Sequence, residues 1–357
     1  MNLSIRFPNI SAYFEGMNKS FTVFGFEITV YGILVAVGML LGLAVIMLQV
    51  RKHKENPNLY LGMVLISLIG GVIGARLYYL AFSWEAFSGK PWTELINIRG
   101  GGLAIYGGIF GGALAGFIYC KIRKVSFGQM ADTVSIGLLT GQIIGVWGNA
   151  FNREAFGEYT DSLFAMQIPL ESVHSSAVTK QMRDNLVMVL DEPFIQVHPL
   201  FLYESIWCFV GLFLLVRYIK KRRFAGDIAL RYLVWYGAGR FWIEALRTDS
   251  LLLVPSIGLR VSQLVAGIAV VGGVIAEILL TRKFRDKPLM VELPLNSENR
   301  ARMKKLDGPT TFAGTDAALP ASASRAEFVE KTAAWNETVK KALDRREHPE
   351  KNEKNPE

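Results

Sequence analysis

Residues 141–157 read GQIIGVWGNAFNREAFG. This stretch passes without a break from an apolar, glycine-rich segment into the amide and charged side chains of Asn149, Asn152, Arg153 and Glu154. Amide and charged groups at the end of a membrane-grade segment are costly to bury unless they bind something. The stretch therefore predicts a membrane protein with a polar site at the end of one of its spans.

Apolar segments of similar length recur along the chain. Hydrophobic residues make up 51% of the 357 residues, and the mean hydropathy is positive. Cutting the chain at its charged clusters leaves seven apolar segments that reach the ~20 residues needed to cross a bilayer as a helix. They lie at 28–50, 59–82, 102–120, 130–147, 197–217, 228–246 and 259–280. The sequence therefore predicts an all-α integral membrane protein with seven transmembrane helices.

Basic residues cluster in the short loops between alternate segments. The clusters are Arg51, Lys52 and Lys54; Lys121, Arg123 and Lys124; Arg217, Lys220, Lys221, Arg222 and Arg223; and Arg282, Lys283, Arg285 and Lys287. Because cytoplasmic loops carry the excess of Lys and Arg, this pattern predicts an N-terminus outside and a C-terminus in the cytoplasm. The formal net charge of +8 follows from these loops, so we expect no nucleic-acid partner.

The chain divides into a polytopic membrane domain, 1–288, and a charged tail, 289–357. Residues 148–196 form an extracytoplasmic insertion between spans 4 and 5, and connections of that length are commonly lids or small subdomains. The tail is poor in apolar residues, which predicts a disordered cytoplasmic segment. Both cysteines lie in or beside apolar runs, and the four histidines lack partners at metal-ligand spacing. We expect no disulfide framework, no metal and no cofactor.

Ionisable side chains occupy one face of the sixth segment. On a helix, Tyr236, Arg240, Glu244 and Arg247 recur on one side. Such a face should line a polar cavity, because contact with lipid would be costly. Arg240 in a cavity suits an anionic lipid phosphate, which a guanidinium grips with two hydrogen bonds. The alternative is an Arg240–Glu244 pair that only fastens helices together.

A second group of polar residues stands at the start of the fifth segment, where His198 precedes Pro199 and is followed by Tyr203 and Glu204. Proline is tolerated in the first turn of a helix, which places His198 at or just before that turn. A histidine can accept a proton near neutral pH, but at a helix start it also serves as a cap or a hydrogen-bonding strut. Both interpretations stay open for His198, and we expect Glu204 to be structural.

Two tyrosines and an arginine offer further polar groups. Tyr106 has glycines on both sides, so its hydroxyl could bind a phosphate or glycerol oxygen, or the ring could anchor the membrane interface. Tyr31, before Gly32 in the first segment, offers the same choice. Arg76 is another arginine inside a span, three residues before Tyr79.

These motifs resemble those of the prolipoprotein diacylglyceryl transferase family, in the same order and at the same spacing. The matching residues are Tyr31-Gly32, Gly74-Ala75-Arg76, the run from Gly101 to Gly108, Gly148-Asn149, Asn152, Glu154, Gly157, His198-Pro199, Leu202-Tyr203-Glu204, Gly239-Arg240-Phe241, Glu244, Arg247 and Ser262-Gln263. The resemblance implies a seven-span enzyme of the bacterial inner membrane that acts at the outer leaflet among membrane lipids. Its donor would be phosphatidylglycerol and its acceptor the lipobox cysteine thiol of a prolipoprotein signal peptide. The products would be a thioether-linked prolipoprotein and glycerol phosphate.

The resemblance also implies roles for single residues. Arg240 would hold the lipid phosphate and stabilise the departing glycerol phosphate, with Tyr106 and His198 as further catalytic candidates. Tyr106 stands where some relatives have a histidine thought to take the thiol proton. A phenol with a reference pKa of ~10 is a poorer base, so we expect Tyr106 to donate a hydrogen bond. The implied substrate-binding set is Tyr31, Arg76, Asn149, Asn152, Arg153, Glu154, Tyr236, Glu244 and Arg247.

Val146 departs from the family pattern, which has an arginine there that helps to clasp the phosphate. Valine carries no charge, and a charged hydrogen bond contributes about 1.5–3 kcal/mol. Arg153, two turns later, would return to nearly the same face of a helix, although two turns cover ~10 Å. The alternative reading is therefore a catalytically impaired family member that binds phospholipid or lipoprotein. A transporter would show inverted repeats, and the two halves show no convincing repeat.

Overall fold

The computed structural model describes residues 5–53, 55–98, 101–248, 252–254 and 259–284. Within them, α-helices account for most of the chain. In chain order they are α1 (Val30–Lys52), α2 (Pro57–Phe82), α3 (Trp84–Phe87), α4 (Trp92–Ile96), α5 (Ile105–Ile122), α6 (Phe127–Gly145), α7 (Gly148–Asn152), α8 (Lys180–Asp184), α9 (Leu200–Tyr218), α10 (Asp227–Leu246) and α11 (Val261–Lys283). Each of the seven apolar segments corresponds to one long helix, with ends that differ by a few residues. The tail predicted at 289–357 lies outside the described residues.

Six helices among the described residues are long and apolar enough to cross a membrane. They are α1, α2, α5, α6 continued through α7, α9 continued to Lys221, and α11. Helix α10 has 20 residues, and an α-helix of that length covers about 30 Å, the thickness of the hydrocarbon core. It differs from the other six because acidic and basic side chains interrupt its apolar sequence: Asp227, Arg231, Arg240 and Glu244.

Glycines bring the spanning helices into direct backbone contact. A methyl group on Gly74 of α2 would lie 2.4 Å from the carbonyl oxygen of Gly107 in α5. One on Gly42 of α1 would lie 2.5 Å from the carbonyl oxygen of Gly137 in α6. A larger residue at either crossing would push the helices apart. The glycines therefore allow α2 to pack on α5 and α1 on α6, as small residues do in membrane bundles.

The insertion between α6 and α9 contains β-structure, which corrects the prediction of an all-α chain. The strands in chain order are β1 (Ile5–Phe7), β2 (Ala12–Phe14), β3 (Ser20–Val23), β4 (Phe26–Thr29), β5 (Met166–Pro169), β6 (Val187–Val189), β7 (Glu192–Val197), β8 (Leu252–Val254) and β9 (Leu259–Arg260). Five of them form one antiparallel sheet in the order β2-β1-β5-β7-β6. The strands of this sheet have three to six residues, too few for a sequence pattern to stand out beside the long apolar segments.

The first two strands, β1 and β2, are part of the same sheet as strands of the insertion, whereas β3 and β4 pair with each other. Arg6 of β1 pairs with Gln167 of β5, and Gln167 pairs with Gln196 of β7. Below the sheet, apolar side chains form a buried core that includes Ile5, Phe7, Phe156, Met166, Ile168, Met182, Ile195, Val197 and Phe201. Because these strands share one sheet, β1, β2 and the insertion lie on the same side of the membrane bundle.

Helix α10 is held at its start by a side chain from α6. Asp132 accepts hydrogen bonds from the backbone N–H groups of Gly226 at 3.0 Å and Ala229 at 2.9 Å. It therefore caps α10 from a neighbouring helix. A guanidinium nitrogen of Arg222 lies 3.7 Å from the same carboxylate. These contacts fix the end of α10 that is remote from Arg240.

Candidate active site

Arg240 of α10 lies between two carboxylates. Its Nη2 is 2.8 Å from Oε2 of Glu244 on the same helix, and its Nη1 is 3.5 Å from Oε2 of Glu204 on α9. Tyr236, one turn earlier, donates its hydroxyl to Oε1 of Glu204 at 3.2 Å. The Arg240 side chain is 26% exposed, whereas that of Glu244 is 4% exposed. We call these four residues the Arg240 cluster: Glu204, Tyr236, Arg240 and Glu244.

The contacts of this cluster bear on the two interpretations of Arg240. The pair with Glu244 lies within one helix, so it fastens no helices, while the contact with Glu204 crosses from α10 to α9. The contact with Glu204 is a hydrogen bond and uses one of the five N–H donors of the guanidinium, whereas the contact with Glu244 is an ion pair. An anion bound here would gain hydrogen bonds from Arg240 but would also meet the repulsion of both carboxylates. A second cation close by would therefore strengthen its binding.

Glu204 stands beside the turn that joins α6 to α7. The hydroxyl of the next residue, Ser205, accepts a hydrogen bond from Nε1 of Trp147 at 3.1 Å. Trp147 follows Val146, which is half-buried and ends α6 with helical backbone angles. The carbonyl of Val146 accepts the N–H of Asn149 at 3.1 Å. Position 146 is therefore connected to α9 through Trp147 and Ser205, the residue after Glu204.

Tyr31 and Glu154 approach the cluster from another side. A methyl group on Gly148 would lie 2.6 Å from Cδ2 of Tyr31, so the tyrosine packs directly on the start of α7. The phenol is close enough to Glu154 and Glu204 to interact with their charges. Asn152 donates to Oε1 of Glu154 at 2.9 Å. The structure thus brings the predicted residues of the first span and of the 141–157 stretch together.

Tyr106 reaches the cluster from the first turn of α5. Its phenol lies beside Ser262 of α11 and interacts electrostatically with Arg240 and Glu244. A hydroxyl in that place can donate a hydrogen bond to an anion held by Arg240. The glycine-flanked tyrosine predicted from the sequence therefore belongs to the site.

His198 lies in the turn between β7 and α9. Its Nδ1 is 3.0 Å from the hydroxyl of Tyr203, whose ring lies 6.2 Å from that of Trp242. Burial lowers the pKa of His198 below its ordinary value of 6.5, and the negative charge of Glu158 partly offsets this shift. The imidazole is therefore neutral at pH 7. The bond to Tyr203 supports the strut interpretation and leaves proton acceptance open.

Arg76 is occupied by backbone carbonyls. Its Nε donates to Leu95 and its Nη2 to Glu94, both at 2.8 Å, and its Nη1 donates to Gly101 at 3.1 Å and Gly102 at 3.0 Å. The residue is buried within α2. These bonds fasten the connection between α2 and α5. The geometry favours a structural role for Arg76 over the substrate contact predicted from the sequence.

Arg153 also binds backbone, and this corrects the idea that it replaces a missing arginine at position 146. It ends α7 with left-handed backbone, φ 55°, so no continuous helix carries it back to the face of Val146. Its Nη1 donates to the carbonyl of Phe151 at 2.8 Å and its Nη2 to that of Met17 at 2.7 Å. The residue is 2% exposed, and burial lowers the pKa of its guanidinium. Arg153 therefore ties α7 to the N-terminal segment.

Arg247 lies beyond the end of α10, which corrects the prediction that four residues share one helical face. Its backbone is extended, with φ −74° and ψ 137°. Its carbonyl accepts Nη2 of Arg260 at 2.7 Å, and its backbone bridges to Gly157. The shared face is that of Tyr236, Arg240 and Glu244.

An apolar groove lies beside Trp242, two residues after Arg240. It has a volume of about 260 Å³ and is open on one side. Aromatic and aliphatic side chains line it: Tyr203, Ile206, Trp207, Val210, Trp235 and Trp242. Among the described residues, no group of three or more His, Cys, Asp and Glu side chains is placed to hold a metal ion.

Glu204 and Ser262 are site residues that the sequence analysis did not assign to the site. Glu204 carried a usable signal, because an acidic side chain within an apolar helix needs a cation, and Arg240 lies on the next helix. For Ser262 the only sequence signal was its place in a family motif. Its contact with Tyr106 depends on how α5 and α11 pack, which the sequence does not show. Residues in such a contact are far apart in the sequence, so a pattern within one segment does not predict the contact.

Comparison with known proteins gives matches over the membrane domain. Residues 18–279 match the family model described as prolipoprotein diacylglyceryl transferase. The phosphatidylglycerol–prolipoprotein diacylglyceryl transferase of Clostridioides difficile (strain 630) is 38% identical over 267 residues, which cover 75% of this chain and 96% of that protein. Proteins of the same name from Bacillus mycoides (strain KBAB4) and Bacillus cereus (strain G9842) are 37% and 38% identical over 259 residues, 72% of this chain and 89% of each relative.

Proposed function

The chain belongs to the prolipoprotein diacylglyceryl transferase family, and from this premise we propose that it transfers the diacylglyceryl group of phosphatidylglycerol to a prolipoprotein cysteine. In this reaction the thiol loses its proton and the sulfur forms a bond to the glycerol carbon of the lipid. The bond from that carbon to the phosphate oxygen breaks, and its electron pair leaves with glycerol phosphate. The products are a thioether and glycerol phosphate, so the site must stabilise charge on a departing phosphate.

Arg240 carries the proposal. It is an arginine on a 20-residue helix, fixed by Glu204 and Glu244 and still 26% exposed. A guanidinium held in one orientation needs no rearrangement when charge develops on the leaving phosphate, which makes its hydrogen bonds most effective in the transition state. The remaining N–H donors of Arg240 would bind the phosphate oxygens.

The residues around the cluster would hold the rest of the head group. Asn149, Asn152 and Glu154 offer amide and carboxylate groups for the glycerol hydroxyls, and Tyr31 packs beside them. Tyr106, next to Arg240, would donate a hydrogen bond to the phosphate. Polar groups of this kind fix the orientation of a ligand whose binding energy comes mainly from its apolar parts.

The apolar groove beside Trp242 would accept an acyl chain of the donor. Its aromatic and aliphatic side chains present an apolar surface, and a methylene transferred from water to such a surface gains about 0.8 kcal/mol. The groove lies on the same pair of helices as the Arg240 cluster. A lipid bound with its phosphate at Arg240 could therefore place a chain there.

Proton transfer from the thiol has two candidate acceptors on this chain, His198 and Glu154. His198 is neutral at pH 7 because burial lowers its pKa, so it is able to accept a proton. Its bond to Tyr203 would then orient the ring. Glu154 is exposed beside Tyr31, and its carboxylate is the second candidate.

The membrane arrangement is part of the proposal. Counting α10 gives seven spans, an odd number that separates an external N-terminus from a cytoplasmic C-terminus. The basic loops support this orientation, and so does the sheet that joins the N-terminal strands to the insertion. In a bacterial inner membrane the Arg240 cluster would then face the outer leaflet.

A transfer assay tests this function. Purified protein is incubated with phosphatidylglycerol in detergent and a lipobox peptide, and released glycerol phosphate is measured. We expect release by the wild type and a loss on the order of 100-fold or more in Arg240→Ala. Arg240→Lys keeps the charge without the planar fork and should fall between them. Arg217→Ala, at an exposed arginine in the last turn of α9, serves as the control with normal activity. Absence of release by folded wild type, or normal release by Arg240→Ala, would overturn the assignment.

A further inference from the structure

Two tryptophans on neighbouring helices make a reciprocal contact. The rings of Trp207 on α9 and Trp235 on α10 stack with centroids 4.4 Å apart and planes at 18°. Nε1 of Trp207 donates to the backbone carbonyl of Trp235 at 2.9 Å, and Nε1 of Trp235 donates to that of Trp207 at 2.9 Å. Each indole therefore binds the backbone of the opposite helix while it stacks on the other ring.

Each indole also occupies the space above a glycine. A methyl group on Gly239 would lie 2.3 Å from Nε1 of Trp207, and one on Gly211 would lie 2.4 Å from Nε1 of Trp235. In an α-helix, the carbonyl of residue i accepts the N–H of residue i+4. The carbonyl that Trp207 binds is therefore the helical partner of Gly239, and the same relation holds for Trp235 and Gly211. We call the four residues the Trp–Gly clasp: Trp207, Gly211, Trp235 and Gly239.

The clasp allows one register between the antiparallel helices. Sliding by one residue moves a helical position by 1.5 Å and rotates it by 100°, which breaks both indole hydrogen bonds. It also replaces each glycine by a larger neighbour, Val210 or Leu212 on α9 and Ala238 or Arg240 on α10. Even a single methyl group added at Gly211 or Gly239 would collide with the indole, so these larger side chains would not fit. The clasp is therefore specific for the observed alignment.

This alignment is the one that assembles the Arg240 cluster. Glu204 lies three residues before Trp207, Tyr236 directly follows Trp235, and Arg240 directly follows Gly239. We propose that the Trp–Gly clasp is a positioning device that sets Glu204 opposite Tyr236 and Arg240, an inference that rests on the proposed function of Arg240. Trp207 and Trp235 also line the groove proposed for an acyl chain, but on the phosphate and the thiol the clasp acts through the guanidinium.

The clasp is tested most sharply at Gly211, because it lies seven residues from Glu204, about 10 Å along the helix. Gly211→Ala places a methyl against Trp235 and displaces it. A misplacement of about 1 Å at a catalytic group can cost on the order of 100-fold in rate. We expect a loss of that order in glycerol phosphate release, with the protein still folded. Trp235→Phe in the Gly211→Ala background removes the clash and should recover part of the activity.

A double-mutant cycle separates positioning from general destabilisation. Glu204→Gln should lower transfer by roughly tenfold in the wild type, because it loosens the guanidinium. In the Gly211→Ala background it should have less than about a twofold effect, since Glu204 no longer faces Arg240. Sites about 10 Å apart without shared partners are otherwise additive. Leu215→Ala, at a buried position on the same helix and eleven residues from Glu204, is the matched control: it removes core packing, lowers the thermal midpoint and leaves the effect of Glu204→Gln unchanged.

Each outcome of this cycle decides a different point. Wild type that releases no glycerol phosphate contradicts the proposed function. If the wild type is active, the clasp proposal is overturned when the losses of transfer rate caused by Gly211→Ala and Glu204→Gln simply multiply in the double variant. It is also overturned when Glu204→Gln alone keeps full activity. If Gly211→Ala fails to fold, Trp235→Phe alone removes one indole donor while keeping an aromatic ring, and it should show the same coupling to Glu204→Gln. Additivity in that variant also overturns the proposal.

Discussion

Val146→Arg is a substitution from which this site should gain activity. The family resemblance predicts an arginine at this position, whereas this chain has valine, and Arg240 is flanked by Glu204 and Glu244. Val146 has φ −64° and ψ −21°, right-handed helical angles that arginine adopts without strain. The neighbouring residue Trp147 donates a hydrogen bond to Ser205, the residue that follows Glu204, and we propose that a long side chain at position 146 would reach a phosphate held by Arg240.

The expected gain follows from one additional charged hydrogen bond to the phosphate. Such a bond contributes about 1.5–3 kcal/mol, and each 1.36 kcal/mol is a factor of ten. We therefore expect kcat/KM for phosphatidylglycerol to rise about 10- to 150-fold. A contact made equally in the bound lipid and in the transition state would lower KM, whereas one made mainly to the leaving phosphate would raise kcat.

The assay is glycerol phosphate release as a function of phosphatidylglycerol concentration. Val146→Met is the matched control, because it lengthens the side chain without adding charge and should change little. Folded Val146→Arg with the activity of the wild type would refute the idea that the phosphate lies within reach of position 146. Arg153→Ala should destabilise both backgrounds equally, since Arg153 binds backbone carbonyls. A loss of activity confined to the wild-type background would instead show that Arg153 serves as the second anchor.

Three further predictions follow from the contacts. Arg76→Ala should lower stability by about 3 kcal/mol or more, because buried carbonyls lose a charged donor; thermal unfolding should show the loss, with KM unchanged below the transition. Cysteine at Asn185 should react with an impermeant thiol reagent on intact cells and cysteine at Lys221 should not; the reverse pattern would overturn the orientation. His198 should titrate below 6.5 in NMR spectra of histidine-labelled protein, because burial lowers its pKa. The contribution of neutral His198 to the free energy of unfolding is therefore present above pH 6.5 and is lost as the pH falls. A titration midpoint of His198 above 6.5 would contradict a buried imidazole.

Hydropathy and charge predicted the membrane helices because both are local properties of the sequence. A 20-residue apolar run can satisfy its backbone hydrogen bonds in lipid only as a helix, whatever packs beside it. The sheet could not be predicted in the same way. The pairing of Arg6 with Gln167 joins strands of three and four residues that are far apart in sequence, so neither strand carries the signal of its partner.

The site residues differ in the same way: positions within one helix could be predicted from the sequence, and contacts between segments could not. The spacing of Tyr236, Arg240 and Glu244 is a property of one helix, and the structure places all three together. Arg247 does not share this face because the helix ends at Leu246. The periodic spacing of residues does not show where a helix ends. For Arg76 the sequence showed that a buried arginine needs acceptors, but whether these are lipid oxygens or loop carbonyls depends on tertiary structure.

The most direct test of the central claim is the mass of a lipobox peptide after incubation with the protein and phosphatidylglycerol. We predict that the peptide gains one diacylglyceryl group on its cysteine through a thioether that resists hydroxylamine. The same peptide with serine in place of that cysteine should stay unmodified, and glycerol phosphate should appear in equal amount to the product. An unmodified cysteine peptide in the presence of folded protein, or a product from which neutral hydroxylamine regenerates the free cysteine thiol, would contradict the account.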